Sequence, residues 1–379
     1  MVKWELLNDE VALRVWDVAL LQLDDYSPCQ TYAWGEYRRA LGWEICRWAA
    51  FNDQGDIVAM MLGLLRRYPL KLGLVWSEGG PVGDLSVCDE GMQEAIKKTT
   101  GLHRIYCRFR CDRERNIEDV LLLNAQGWCR SWFTLTSNYS MTLDITQDEK
   151  HLLATCERNW RRNLRQAGES NLTVREWTDP NVDEVLSIYT SMQSVKGLDE
   201  QHSREEIEQV LKTLKQQLVL YRCDDERGEL VSLLGWQVLG KRAWGLFSAT
   251  SEQGRKVHAS YALYWALVRH CRSIDVESCD LAGIDPRRNR GVYRFKRATG
   301  ATPLEYLGEW DWATSQWLRW CGNWAISRRE KLKQAESAFK SSAAGRLKSS
   351  SGNAVPAQHA SQSIEKRCST TEVTAVEAV

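Results

Sequence analysis

Apolar and polar residues are spaced along this chain so as to predict short strands and amphipathic helices in a repeating order. Trp4 to Leu7 reads as a first strand. Asp9 opens a helix reaching about Leu23, with Val11, Val15, Val18 and Leu21 at helical spacing. Tyr32 to Leu41 predicts a second helix, closed by Gly42. Three extended runs follow: Trp43–Phe51, Ile57–Leu65 and Leu72–Trp76, the first two joined by a turn over Asn52–Gly55. After the turn Glu78-Gly79-Gly80-Pro81 come a helix over Leu85–Thr99 and a strand over Arg104–Phe109. A helix over Ile117–Asn124 ends near Gly127, and extended chain runs on to Leu143.

The second half runs through the same order. Leu218–Arg222, Leu230–Leu239 and Ala243–Phe247 predict three strands, with a turn at Asp224–Gly228 and a two-residue hairpin at Gly240-Lys241. A helix over Val257–His270, a strand over Val276–Leu281, a helix over Val292–Ala298 and a strand over Thr302–Tyr306 complete it. The order is matched while the residues are not. The expected class is α/β with mixed sheets: two domains of one fold, each an antiparallel three-strand half followed by a βαβ unit. The expected boundaries are 1–145 and 146–312.

Between the halves, Asp148 to Gln166 predicts one helix. Leu152, Leu153, Cys156, Trp160, Leu164 and Ala167 share a face, and Arg158, Arg161, Arg162 and Arg165 occupy the opposite one. Such a stripe suits a phosphate-bearing partner; the alternative is a solvated helix face. Residues 313–334 predict a basic helix in which Trp317, Trp320, Cys321 and Trp324 form a stripe among Arg319, Arg328, Arg329, Lys331 and Lys333. That helix either packs on its own domain or lies on an anionic membrane surface. Residues 335–379 are rich in Ser, Ala, Gln and Lys, and are expected to be disordered.

Composition narrows the class. Hydrophobic content of 43% and charged content of 26% suit a soluble globular protein of about two domains. Fifty basic and fifty acidic residues cancel, so any basic site must be local. No apolar leader and no membrane-span-length apolar run is present, which predicts a cytoplasmic protein, with peripheral contact at the inner leaflet as the further option. The twelve cysteines form no C-x-x-C pair and no zinc spacing, so neither disulfides nor a metal are expected.

The stretch Asp280–Asp311, D-L-A-G-I-D-P-R-R-N-R-G-V-Y-R-F-K-R-A-T-G-A-T-P-L-E-Y-L-G-E-W-D, places a loop rich in Asp, Arg and Gly at a strand's carboxyl end. Chemistry is common in such loops, and so are plain solvated connections. With the two-domain repeat and the entry Q-T-Y-A-W-G-E-Y-R, this stretch resembles the FemAB family over about residues 1–312. That family consists of peptidoglycan interpeptide-bridge aminoacyltransferases built as tandem GNAT-like domains. The resemblance implies transfer from aminoacyl-tRNA to an amine on a lipid- or UDP-linked envelope precursor, and so a place in cell-wall biogenesis and cell shape. It puts the family's Phe-Lys pair on Phe295 and Lys296 and its D-L-G-G motif on Asp280, Leu281, Ala282 and Gly283. The basic residue after the first Gln becomes Arg38, where the family more often has lysine. Its tyrosine-rich loop falls on His258 to Tyr261, with His258 in place of a tyrosine.

On this reading Lys296, Phe295 and Asp280 are catalytic. Arg38, His258, Tyr261, Asp285 and Arg294 bind substrate, and the arginines at 158, 161, 162 and 165 meet tRNA phosphates. A positioned Lys296 ammonium stabilises the charge that develops when an amine attacks the ester. Phe295 excludes water or stacks on a terminal base, or simply packs in the core. Asp280 and Asp285 orient the acceptor amine or take its proton, although Asp285 before Pro286 also starts a turn. His258 is a base or a structural residue at a helix start. No cofactor is expected. Acyl-CoA is the alternative donor, but G-R-K-V-H-A-S lacks the glycines of the R-x-x-G-x-G loop that holds a pyrophosphate in CoA enzymes. A third alternative is a non-enzymatic module that holds a precursor at the membrane.

Overall fold

The computed structural model describes residues 2–196, 202–287 and 289–328. The expected tail over 335–379, and the basic end of the tryptophan helix after residue 328, lie outside the described residues.

In chain order the strands are β1 (Lys3–Leu7), β2 (Glu44–Phe51), β3 (Ile57–Tyr68), β4 (Leu72–Glu78), β5 (Val82–Gly83), β6 (Arg104–Glu114) and β7 (Cys129–Arg130). Then come β8 (Tyr139–Asp144), β9 (Thr173–Glu176), β10 (Leu218–Asp224), β11 (Leu230–Leu239), β12 (Arg242–Thr250), β13 (Ser278–Asp280) and β14 (Thr302–Ala313). The helices are α1 (Asp9–Leu20), α2 (Tyr32–Ala40), α3 (Glu90–Thr100), α4 (Ile117–Ala125), α5 (Glu149–Thr155) and α6 (Arg158–Gly168). They continue with α7 (Val182–Lys196), α8 (Arg204–Thr213), α9 (Glu252–Lys256), α10 (Ala259–Ser273), α11 (Arg290–Arg297) and α12 (residues 316–328).

Each half builds the unit expected of it. β2, β3 and β4 are antiparallel, and α3 crosses over to β6, which runs parallel to β4. Likewise β10, β11 and β12 are antiparallel, and α10 crosses over to β13, parallel to β12. The apolar run of β3 is explained by burial on both faces. Met60, Leu62 and Leu64 face a core with α1 and α2, while Ala59, Met61 and Leu65 face a second core with α3. The first of these cores continues into the second half through Ile188 and Tyr189 of α7, Leu233 of β11 and Phe247 of β12.

The halves also exchange strands. The sheet runs β1-β2-β3-β4-β6-β14-β8-β13-β12-β11-β10-β9, with β5 on β3 and β7 on β14. β8 follows the first half in sequence but lies beside β13. β14 pairs with β8 from Thr302 to Glu305 and with β6 from Tyr306 onward. The register shifts between Tyr306 and Gly308. Gly308 sits at φ +80°, and a Cβ there would lie 2.8 Å from Asn138 Oδ1. The polypeptide crosses the expected boundary near residue 145 in both directions.

Two local expectations are corrected. Val11, Val15, Val18 and Leu21 are exposed, and α1 instead buries Ala12, Trp16 and Leu20. One indole decides the orientation: Trp16 is fully enclosed and donates to the Gln30 carbonyl at 2.6 Å. The helix expected over Asp148–Gln166 breaks at Cys156, which is extended (φ −65°, ψ 141°). Asp148 caps the first piece by accepting from the His151 backbone at 2.9 Å.

A buried ion pair crosses the seam between β6 and β14. Arg108 and Glu309 have side chains 1% and 0% exposed, and Arg108 Nε donates to Glu309 Oε2 at 2.8 Å. The other Glu309 oxygen accepts from the backbone of Leu135 at 2.7 Å and of Thr136 at 2.9 Å, which fixes the loop before β8. Glu309→Leu leaves a guanidinium uncompensated in the interior and is expected to lower unfolding free energy by about 3–5 kcal/mol in equilibrium urea denaturation. The double variant Arg108→Met/Glu309→Leu should lose less than Glu309→Leu alone. An equal or larger loss would show that the pair is not what holds the seam.

Candidate active site

Where the halves meet, a cavity of about 240 Å³ opens between them. The first half contributes Trp34 of α2 with Arg110 and Asp112 of β6, and the loop before β8 contributes Thr136 and Ser137. Gln237, Trp244, Asp280, Ala282, Gly283 and Tyr306 close the other side. The stretch singled out from the sequence, Asp280 to Gly283, is thus one wall of an interdomain cavity.

Asp280 is buried at the end of β13. Its carboxylate accepts from Ser140 Oγ of β8 at 2.5 Å, from the Tyr306 hydroxyl of β14, and from the Ala282 backbone at 2.7 Å. Burial raises its pKa although all three donors favour the ionised form. These contacts occupy most of what a carboxylate can accept. They also hold Ala282 at φ +63°, a conformation glycine adopts without strain; the family's motif has glycine at this position.

Lys296 comes from α11 to the back of this wall and is bonded to it without itself lining the cavity. Its Nζ donates to the carbonyls of Ala282 at 3.0 Å and Gly283 at 2.9 Å. Burial disfavours the ammonium and brings its pKa down to about 8, with Asp280 opposing in part. Phe295, beside it, is half-buried among aromatic rings: edge-on to Tyr261 and Tyr264 and tilted against Trp160. Of its expected roles, packing is the one these contacts supply. Tyr261 belongs to the same cluster. His258 stands edge-on to Tyr261 at φ +57°, with no side-chain hydrogen bond capping α10. Asp285 accepts from the Arg287 backbone at 2.9 Å, as a turn-starting aspartate does.

Arg38 is engaged elsewhere. It pairs with Glu78 at 2.6 Å and stacks near the rings of Trp34 and Tyr37, so it braces the residue behind the cavity wall and does not line the cavity. Burial works against ionisation of Glu78, yet Arg38 keeps it below the usual carboxylate range. Two charged residues that the sequence did not single out line the cavity instead. Arg110 pairs with Asp112 at 2.7 Å, and Asp112 also accepts from Ser27 Oγ at 3.0 Å. Only the alternation along β6 hinted at them, by placing charges on a strand otherwise buried.

The arginine stripe is on the surface. Arg158, Arg161, Arg162 and Arg165 are all exposed on α6. Arg161 donates to the carbonyls of Leu153 and Ala154 at 3.3 Å, closing α5. The other three carry no side-chain partner among the described residues. α11 lies against α6 through the contact of Phe295 with Trp160 and a backbone bond from Glu157 to the Ala298 carbonyl. Arg290, Arg294 and Arg297 are exposed on α11, the last of them 3.8 Å from Glu157 at the start of α6. Among the described residues no cluster of His, Cys, Asp and Glu could hold a metal, and no helix is long and apolar enough to cross a membrane.

The model of the acetyltransferase (GNAT) domain family matches residues 154–297. The chain is 23% identical over 323 residues to the UDP-N-acetylmuramoylpentapeptide-lysine N(6)-alanyltransferase of Weissella viridescens, covering 80% of this chain and 94% of that protein. Its fold is similar to the crystal structure of FemX, with a TM-score of 0.68 at 16% identity over 82% of this chain and 96% of that one. It is also similar to a tandem GNAT protein from the clavulanic acid biosynthesis pathway, with a TM-score of 0.51 at 11% identity over 83% of this chain and 99% of that one. These likenesses bear out the FemAB resemblance and the tandem GNAT-like architecture.

Because burial weakens the ammonium, Lys296 releases its proton at lower pH than an exposed lysine. Its side-chain carbon resonances should titrate with a midpoint near pH 8 rather than the ordinary 10.5. Between those values the unfolded chain binds a proton that the folded chain does not, so this group makes folding stability rise with pH across the window. Lys296→Met should remove that part of the rise. A lysine resonance at 296 titrating near 10.5 would show the group to be solvated.

Proposed function

We propose that this FemAB-like chain, with two GNAT-like domains sharing one sheet, is an aminoacyltransferase that moves an aminoacyl group from aminoacyl-tRNA to an amine of a cell-envelope precursor, peptidoglycan or another glycan. The observation that carries the reading is the placement of Lys296. An ammonium has three donors. Two are held by the Ala282 and Gly283 carbonyls at the cavity wall, and one is left for a reacting oxygen.

The acceptor enters the interdomain cavity, and the donor lies along the basic face of α6 and α11. The acceptor nitrogen attacks the ester carbonyl carbon, and its electron pair forms the new amide bond as the carbonyl π electrons move to oxygen. Lys296 stabilises that oxyanion. Collapse breaks the ester C–O bond, and the proton lost by the nitrogen ends on the departing ribose oxygen. Asp112, on the cavity wall, orients the acceptor amine. Asp280 acts through geometry by fixing the loop that receives Lys296. Arg158, Arg162, Arg165 and Arg294 hold donor phosphates. The precursor is UDP- or lipid-linked, and peripheral contact with the inner leaflet belongs to the same reading.

The test is transfer of labelled alanine from alanyl-tRNA to a UDP-linked muropeptide, with acyl-CoA donors assayed separately. Lys296→Met keeps the apolar stem and should slow turnover by about 100- to 1000-fold with little change in melting temperature. Lys296→Arg should recover only part of the rate, because the guanidinium places its charge differently. Transfer from acyl-CoA alone would assign the other donor, and wild-type turnover by Lys296→Met would move the chemistry elsewhere.

Charge reversal at Arg162 and Arg165 should raise KM for aminoacyl-tRNA and flatten its salt dependence while kcat is kept. An unchanged salt slope would remove this surface from donor binding.

A further inference from the structure

Most of the exposed aromatic side chains among the described residues lie on α12 and the loop before β8. α12 buries Leu318, Cys321 and Asn323, the last bonded to Asp311 of β14, and leaves Trp317, Trp320 and Trp324 exposed at 71%, 52% and 45%. At about 100° per residue these three indoles fall within about 60° of one another around the helix. Beside them runs the loop before β8, with Trp132, Phe133 and Leu135 also exposed. The two elements are joined: Asn323 Oδ1 accepts from the Trp132 backbone at 3.2 Å, and Arg319 lies 5.7 Å from the Trp132 ring. Five exposed aromatic side chains and one leucine thus sit on two elements that are tied together.

We propose that this face docks on the headgroup region of an anionic phospholipid bilayer. Indoles settle at the membrane interface, where the ring meets acyl chain and the N–H meets headgroup. The charge agrees. Arg328 is exposed beside Trp324, with its guanidinium 5.4 Å from that ring. The sequence continues with Arg329, Lys331 and Lys333 against one acid, Glu330, in a chain whose total charge is zero. Basic residues that follow an amphipathic helix in sequence complement anionic lipid. Position agrees too. The loop that carries Trp132, Phe133 and Leu135 is anchored by Glu309 and runs directly into Thr136 and Ser137 of the cavity wall. A bilayer seated here lies at the edge of the cavity. Docking itself does not depend on the transfer chemistry. Its use, to present a lipid-linked acceptor to the cavity, rests on the function proposed above.

The experiment is flotation of the full chain with vesicles of phosphatidylcholine alone and of phosphatidylcholine with phosphatidylglycerol. Binding is expected to the anionic vesicles, with a blue shift in tryptophan emission. Trp320→Ser/Trp324→Ser should weaken it about tenfold or more, given the apolar area of two indoles. Arg328→Gln should weaken it about fivefold at low salt. Trp132→Ser, on a separate element, should weaken it as well. Val11→Ser/Val18→Ser, on the exposed aliphatic face of α1, should not. No binding to anionic vesicles, or binding indifferent to Trp132→Ser and to the α12 pair alike, would overturn the proposal. So would a dimer in solution that the same substitutions dissociate, which would assign the face to a second copy. Vesicle binding by a chain that shows no transfer activity would leave this face standing and count against the transfer reading.

Discussion

The hydrogen bond from the Tyr306 hydroxyl to Asp280 is the contact on which the site's geometry depends. Tyr306 stands where β14 changes partners, from β8 to β6. Its ring therefore belongs to the seam, while its hydroxyl reaches into the second half. Asp280 passes the constraint on: it holds the Ala282 backbone, and the Ala282 and Gly283 carbonyls hold Lys296. Four links, each a hydrogen bond or a turn of backbone, connect the join between the halves to a single ammonium. A small slip of β14 would move every one of them. An apolar residue at this position would cost less to bury but could make none of these bonds.

The same seam encloses charge. Arg108 and Glu309 are joined by more than one hydrogen bond across β6 and β14, and behind the cavity wall, within the first half, the part-buried Arg38–Glu78 pair is held in the same way. Buried pairs of this kind contribute little net stability against well-packed apolar residues, but they discriminate strongly against misplacement. Glu309 shows the benefit. One oxygen serves the ion pair, and the other organises the loop that forms both a cavity wall and part of the aromatic face. Fixing that loop with a carboxylate ties the position of the surface to that of the cavity.

Much of the fold was legible because its signals are local. Alternation and turn residues marked β2, β3, β4 and β10, β11, β12, and helical spacing marked α3 and α10. The misreadings also have local causes. In α1 the several Val and Leu residues outweighed one tryptophan in number, but Trp16 fills more space and carries a bonded N–H, so it sets the buried face. No Pro or Gly announces the break at Cys156, where the Glu157 backbone bonds instead to the carbonyl of Ala298. α7 and α8 went unread, although Ser203 and Glu206 form a capping box visible in the sequence. The site was half legible. Lys296 and Asp280 lie in one contiguous motif, whereas Arg110 and Asp112 reach the cavity only because β14 carries the second half alongside β6. Pairing at such separation leaves no trace in local spacing.

The exchange of strands has a bearing on how the chain comes off the ribosome. β6 waits for the far half of β14, which is made some 190 residues later, and β8 leaves its own half to join strands not yet synthesised. Until then the nascent first half carries an open hydrogen-bonding edge along a strongly apolar sheet. Such edges recruit other chains, and long-range closure is slow. The usual economy of a duplicated protein, in which one copy folds while the next is translated, is lost here. In exchange, the two copies cannot drift apart after folding, because each is completed by the other's strand.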